Sequence, residues 1–130
     1  MPLAEIVSMC SIAVHPNRLP EGPAYAITTV LKSAELTLED IHVMEINEAF
    51  AAVPLVSILL LADKDRQKSQ TIQKKTNING SAIAIGHPNT ASGARIIMNL
   101  MYELRRRGGG YALGAICGGL GQADACVIRV

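Results

Sequence analysis

Six residues, Cys117-Gly118-Gly119-Leu120-Gly121-Gln122, separate two apolar, strand-like runs near the C-terminal end, Tyr111 to Ile116 and Ala123 to Val130. No crossover helix fits in that gap, so the two runs are expected to lie side by side and antiparallel. The chain before them alternates instead. A strand candidate from Leu3 to Val14 leads through a proline-punctuated loop, His15 to Pro23, into a helix over Ala24 to Ala34 whose Ala26, Ile27, Val30, Leu31 and Ala34 share one face. Thr37-Leu38-Glu39-Asp40 carries the residues of a capping box at a short turn, and Ile41 to Ile46 reads as a second strand. A second helix is expected to begin near Asn47 or Glu48 and run to Ala62, with Pro54 in its first turns, where a missing amide hydrogen does least harm. Asp63 to Lys75 is a charged, solvated excursion with room for a short helix. Gly80 to Gly86, built from small and β-branched residues, is expected as a further strand. It leads through His87 and Pro88 into a helix from about Ala91 to Arg107, with Ala94, Ile97, Met98, Met101 and Leu104 at three- and four-residue intervals and a triple-glycine stop. The order is strand, helix, strand, helix, strand, helix, strand, strand. That is one α/β domain over residues 1–130, a mixed sheet with packed helices and an antiparallel last pair.

Composition narrows the function classes. A net charge of +1 and 3% aromatic residues give neither a basic field nor a stacking platform, which argues against nucleic acid. The longest apolar run, Ala49 to Ala62, is interrupted by Pro54 and Ser57 and is too short to span a bilayer, so no membrane role is expected. The N-terminal residues, with Glu5 and no basic segment ahead of an apolar run, do not read as a secretory signal, and the cytoplasm is the expected compartment. The three cysteines, Cys10, Cys117 and Cys126, make neither a CxxC pair nor a cysteine-histidine cluster, so neither a metal site nor a disulfide framework is expected. Cys10 and Cys126 sit within apolar runs and read as small buried hydrophobes; His15 and His42 read as loop and surface residues.

Three stretches share one construction: an apolar element ends and a polar or reactive side chain follows. They are Asn47-Glu48-Ala49-Phe50, Gly86-His87-Pro88, and Cys117 through Gly121. Converging, they make a site from an amide, an imidazole and a thiol. Each has a plainer reading as well. Asn47 suits the cap of the helix that follows, and Cys117 suits either a nucleophile or a proton carrier. The glycines after Cys117 allow backbone amides to face a developing oxyanion. They are not a phosphate loop, because no Gly-Lys-Ser or Gly-Lys-Thr closes them and a strand follows. The residues by themselves leave both cysteine-dependent acyl chemistry and a binding or structural α/β domain open.

With those three motifs in that order, the sequence from about Pro2 to Val130 resembles the C-terminal domain of thiolases, which make or cleave 3-oxoacyl-CoA. The resemblance implies a thiolase-like fold and acyl-CoA and CoA as substrates, with no further cofactor. It implies that His87 activates a nucleophilic cysteine and helps polarise the thioester oxygen, while Asn47 holds a water in the same oxyanion hole. Cys117 would carry the proton to or from the α-carbon, the Gly119 amide would support the tetrahedral intermediate, and Phe50 and Gly86 would position the substrate. Neither Cys10 nor Cys126 lies in a motif like that of the family's nucleophile. The resemblance therefore implies a separate chain carrying the N-terminal domain, joined in an oligomer. A non-catalytic binding or scaffolding subunit and a truncated, inactive fragment are the competing expectations. The sequence departs from the family pattern at Thr90, Leu120 and Ala123, where glycines are usual; Thr90 is expected to narrow the approach to the thioester.

Overall fold

The computed structural model describes residues 2–130. Four strands, β1 (Glu5–Ala13), β2 (Ile41–Ile46), β3 (Tyr111–Cys117) and β4 (Gln122–Arg129), form one sheet in the order β1-β4-β3-β2. The last two strands are antiparallel, as the short connection requires, with Cys117 opposite Ala123 and Tyr111 opposite Arg129. β1 is antiparallel to β4, and β2 is parallel to β3, so the sheet is mixed.

Helices cover both faces. On one side α1 (Gly22–Ser33) buries Ala26, Ile27, Val30 and Leu31 against Met44, Ile46, Leu113, Ala115 and Val127, together with Val53 and Ile58 of α2 (Ala52–Leu61). On the other, α5 (Ser92–Arg107) buries Ile96, Leu100, Met101 and Leu104 against Val43, Ala112 and Ile128. The buried stripe of α5 is rotated from the expected one: Met101 and Leu104 are buried, but Ala94 and Met98 face outward. Polar groups at Ser92, Arg95 and Asn99 occupy the flank that the sequence pattern assigned to no function.

The charged excursion contains α3 (Arg66–Gln73), capped by Asp65, whose side chain accepts from the Lys68 amide at 2.7 Å. At the Thr37 turn, Asp40 accepts from the Thr37 amide at 2.8 Å and from its hydroxyl at 2.7 Å, the capping-box residues tying a turn rather than a helix. The chain then returns along β2. Met44 donates to Lys75 O at 2.8 Å and accepts from the Asn77 amide at 2.9 Å. The Asn77 side chain continues the ladder, accepting from the Ile46 amide at 2.8 Å and donating to Ile46 O at 2.9 Å. Asn77 is therefore a substitute strand residue along the outer edge of β2.

This occupied edge explains one correction. Gly80 to Gly86 is not a strand; Ala82–Ile85 forms a single helical turn, α4, closed by the Gly86 amide on Ala82 O at 2.8 Å. The Ala-Ile-Ala-Ile alternation imitates a strand period, but the edge of β2 is already taken, and Ile83 and Ile85 are 65% and 55% exposed. Gly86 ends the turn at φ +104°, a conformation that favours glycine, and re-aims the chain into His87. A second correction concerns Asn47. α2 starts only at Ala52, with Ala51 at the cap, so Asn47 does not cap it; its amide instead bonds Ala115 O at 2.9 Å, one step beyond the end of β2. Pro54 falls in the first turn, as expected. Cys10 and Cys126 are only half-buried and lie on opposite faces: the Cys10 thiol donates to Ala26 O of α1 at 3.3 Å, and Cys126 borders the part of the other face that α5 leaves uncovered.

Candidate active site

The C-terminal ends of the two parallel strands, β2 and β3, point the same way, and the three motifs follow from or face them. The Cys117 turn and the Asn47 turn leave those ends directly, and α4 delivers His87 beside Asn47. A cleft of about 540 Å³ is lined by His87, Cys117, Gly119, Phe50, Thr90 and Asp124, among others. Of the expected site residues, His87, Cys117, Gly119 and Phe50 thus share one cavity. Asn47 does not line it. It is fully buried behind the imidazole, with Nδ2 3.2 Å from His87 Nε2. Gly86 is also outside the lining and acts through the backbone direction it gives to His87.

The imidazole is held at both ring nitrogens. Nδ1 lies 2.7 Å from Ser92 Oγ, at the first residue of α5, and that hydroxyl is 3.2 Å from Pro88 O. Behind Asn47 lies a buried charge. Glu45, 1% exposed, pairs with Arg95 and accepts from Ser81 Oγ at 2.9 Å and from Asn99 Nδ2 at 2.7 Å. Arg95 Nη2 also donates to Asn47 Oδ1 at 3.3 Å. Glu45, Ser81, Ser92, Arg95 and Asn99 were not singled out from the sequence. The available signal was polarity at 92, 95 and 99, three and four residues apart on a helix whose neighbouring stripe is apolar.

Cys117 ends β3 with its side chain 8% exposed, and burial pushes its thiol up from the usual value, so it holds its proton. The turn after it is tightly built. Leu120 sits at φ +59° with its side chain 83% exposed, outside the cleft lining, whereas Thr90 does line the cleft. Gly121, at φ +89°, lies so close to β1 that an added Cβ would stand 2.3 Å from Val14 O. We expect Gly121→Ala to cost about 2–4 kcal/mol in denaturant unfolding, since both the backbone angle and the contact are forbidden. Gly119→Ala, whose added methyl meets nothing within 4 Å, is expected to unfold within about 1 kcal/mol of wild type. Equal losses in the two variants would show that the turn is not held by this contact.

The family model described as "Thiolase, C-terminal domain" matches residues 1–130. The chain belongs to the thiolase family. This thiolase domain is 44% identical over 128 residues to a mitochondrial acetyl-CoA acetyltransferase from Bos taurus, covering 98% of the chain and 28% of the relative. It is also 44% identical over 128 residues to a human mitochondrial 3-ketoacyl-CoA thiolase, covering 98% of the chain and 30% of the relative. The crystal structure of human mitochondrial 3-ketoacyl-CoA thiolase superposes with a TM-score of 0.88 at 45% identity, covering 99% of this chain and 31% of that one. The Bacillus anthracis acetyl-CoA acetyltransferase superposes at 0.87 with 40% identity, again covering 99% and 31%. The thiolase domain therefore spans a little under a third of the length of these relatives. Their names also overturn the cytoplasmic expectation: the bovine and human relatives are mitochondrial. The features of the first residues that pointed to the cytoplasm carry no such information for a sequence that matches only part of its relatives.

Proposed function

We propose that this domain supplies the proton-handling half of a thiolase site, acting on 3-oxoacyl-CoA and acyl-CoA together with a nucleophilic cysteine on an N-terminal thiolase domain. The observation that carries the reading is the shared cleft, in which His87, Cys117 and Gly119 face one space with Asn47 bonded to the back of the imidazole. His87 Nε2 exchanges its bond from Asn47 for the proton of the nucleophilic thiol, the thiolate attacks the acyl carbonyl, and the CoA sulfur of an acyl-CoA or the α-carbon of a 3-oxoacyl-CoA leaves. Asn47, buried behind the imidazole, acts on the cleft through its bond to His87, and the Gly119 amide stands at the edge of the cleft as a donor to the oxyanion. Cys117, kept as a thiol by burial, gives its proton to the α-carbon when the carbon-carbon bond breaks; in the other direction it first gives that proton to the departing CoA sulfur and then, as thiolate, takes one from the α-carbon. Phe50, 47% exposed on the cleft wall, and Thr90 border the acyl chain.

The direct test is co-expression with an N-terminal thiolase domain, followed by an assay of CoA-dependent cleavage of a 3-oxoacyl-CoA. Turnover by the pair and none by either alone is expected. A native mass showing only copies of this chain, inert with every N-terminal domain offered, would leave the scaffolding reading in its place.

Assembly gives a further expectation. Beyond α5 the sheet exposes Ile6 (62%) and Met9 (70%) beside Ile97, Ile116 and Cys126, around an apolar hollow of about 460 Å³. Such a face calls for a cover. Expressed by itself the chain should elute in light-scattering chromatography as concentration-dependent multimers, and its N-terminal partner should suppress them. A monodisperse monomer indifferent to that partner would sink this expectation.

A further inference from the structure

We propose that Arg95 is a positioning residue that fixes which nitrogen of His87 carries the proton; the inference rests on the reading of His87 as proton acceptor for the nucleophile. A guanidinium only donates hydrogen bonds, and Arg95 Nη2 donates to Asn47 Oδ1 at 3.3 Å. The oxygen of the amide therefore faces Arg95, and its NH2 group faces His87. An amide NH2 also only donates, so Nε2, 3.2 Å away, must accept. The proton is then on Nδ1, which donates to Ser92 Oγ at 2.7 Å while the Ser92 hydroxyl donates to Pro88 O at 3.2 Å. All four bonds run one way, from Arg95 to Pro88.

The two ends are not equivalent. Pro88 O already accepts the Ala91 amide at 2.8 Å and the Ser92 amide at 3.0 Å, so it does not depend on the Ser92 hydroxyl. That hydroxyl is free to turn and donate to Nδ1 instead, which reverses the tautomer. Arg95 has no such freedom. It is anchored by Glu45, itself 1% exposed and bonded by Ser81 and Asn99. Were Asn47 turned by half a revolution, Oδ1 would face Nε2 and require a proton there. Nε2 then carries a proton and takes none from a thiol, whereas in the arrangement present its lone pair is engaged only by an Asn47 N–H at 3.2 Å, a bond that exchanges for the thiol proton. Arg95 is thus the irreversible end of the chain, and one contact to Asn47 sets which nitrogen of the imidazole is free to take a proton.

The test uses the chain assembled with its nucleophile-bearing domain and labelled with 15N in histidine. The ring nitrogen signals of His87, identified by their loss in His87→Ala, report directly which nitrogen is protonated. Wild type should show the proton on Nδ1 alone. Arg95→Met should show a mixture, with the acylation rate lowered about 10- to 100-fold, less than a wholly wrong tautomer costs elsewhere, and KM for acyl-CoA within about 2-fold. Arg95→Lys, still a pure donor, should restore the single tautomer and most of the rate. Because Arg95→Met strands a buried carboxylate and can impair folding, the double variant Glu45→Gln with Arg95→Met is measured beside it and should show the same mixture. Retention of the Nδ1 proton in both methionine variants overturns the proposal, as does a lysine variant no better than methionine. A mixed tautomer with undiminished acylation upholds the role of Arg95 and instead removes His87 as the proton acceptor.

Discussion

In the assembled enzyme, His87→Ala should stop the reaction at its first step: covalent acylation of the nucleophile and overall turnover should both fall by about 10²–10⁴. Alanine removes the imidazole placed to take a thiol proton; the Ser92 hydroxyl keeps Pro88 O, whereas the buried Asn47 Nδ2 loses its partner, which costs about 1–3 kcal/mol. The unfolding midpoint should therefore fall modestly, and the loss of rate should persist at temperatures where the variant is fully folded. Intact mass after mixing with labelled acyl-CoA reads the acylation directly. Full acylation in His87→Ala would move the base elsewhere, and Asp124, the other titratable group lining the cleft among the described residues besides Cys117, would be next in line.

Cys117→Ala should separate two steps that His87→Ala loses together. The acyl-enzyme should still form, because no part of that step uses this thiol, but solvent exchange of the acceptor's α-proton and carbon-carbon bond formation should fall by about 10²–10⁴. Removing one sulfur from a site 8% exposed leaves a small void and a stability loss of about 1 kcal/mol, too little to be mistaken for the kinetic effect. An acyl adduct on Cys117 itself, or undiminished carbon-carbon chemistry in the variant, reverses the assignment and makes this thiol a nucleophile or a bystander.

The legible and illegible parts of the sequence divide by the range of the interactions behind them. β2 was readable to the residue because a short apolar run between a turn and a polar break has few alternatives, and the antiparallel β3-β4 pair followed from the length of one connection. The three motifs were visible because glycine, proline, histidine and cysteine are conspicuous at the ends of apolar runs. What failed depended on contacts distant in sequence. Ala82–Ile85 looks like a strand until the edge it would join is seen to be filled by Asn77, and Asn47 looks like a cap until its amide is found on Ala115 O. The Glu45–Arg95 pair joins residues of opposite charge 50 positions apart, with nothing local in either segment to announce the partner. The rotated face of α5 has the same origin: Ser92 is buried and Arg95 and Asn99 are half-buried, turned inward to serve the imidazole and its neighbours.

The Asn77 ladder bears on how this sheet meets others. A sheet ordinarily has two free rims, and a molecule with two can add copies at each without limit, which is the geometry of a fibre. Here the rim at β2 is sealed by Lys75 and by both ends of the Asn77 amide, leaving β1, which pairs only with β4 among the described residues, as the single free rim. Rim-to-rim addition through β1 is self-complementary and terminates at two copies. Asn77→Leu frees only the Ile46 N–H and C=O, because the backbone bonds of Lys75 and Asn77 to Met44 remain, so most of that rim stays closed.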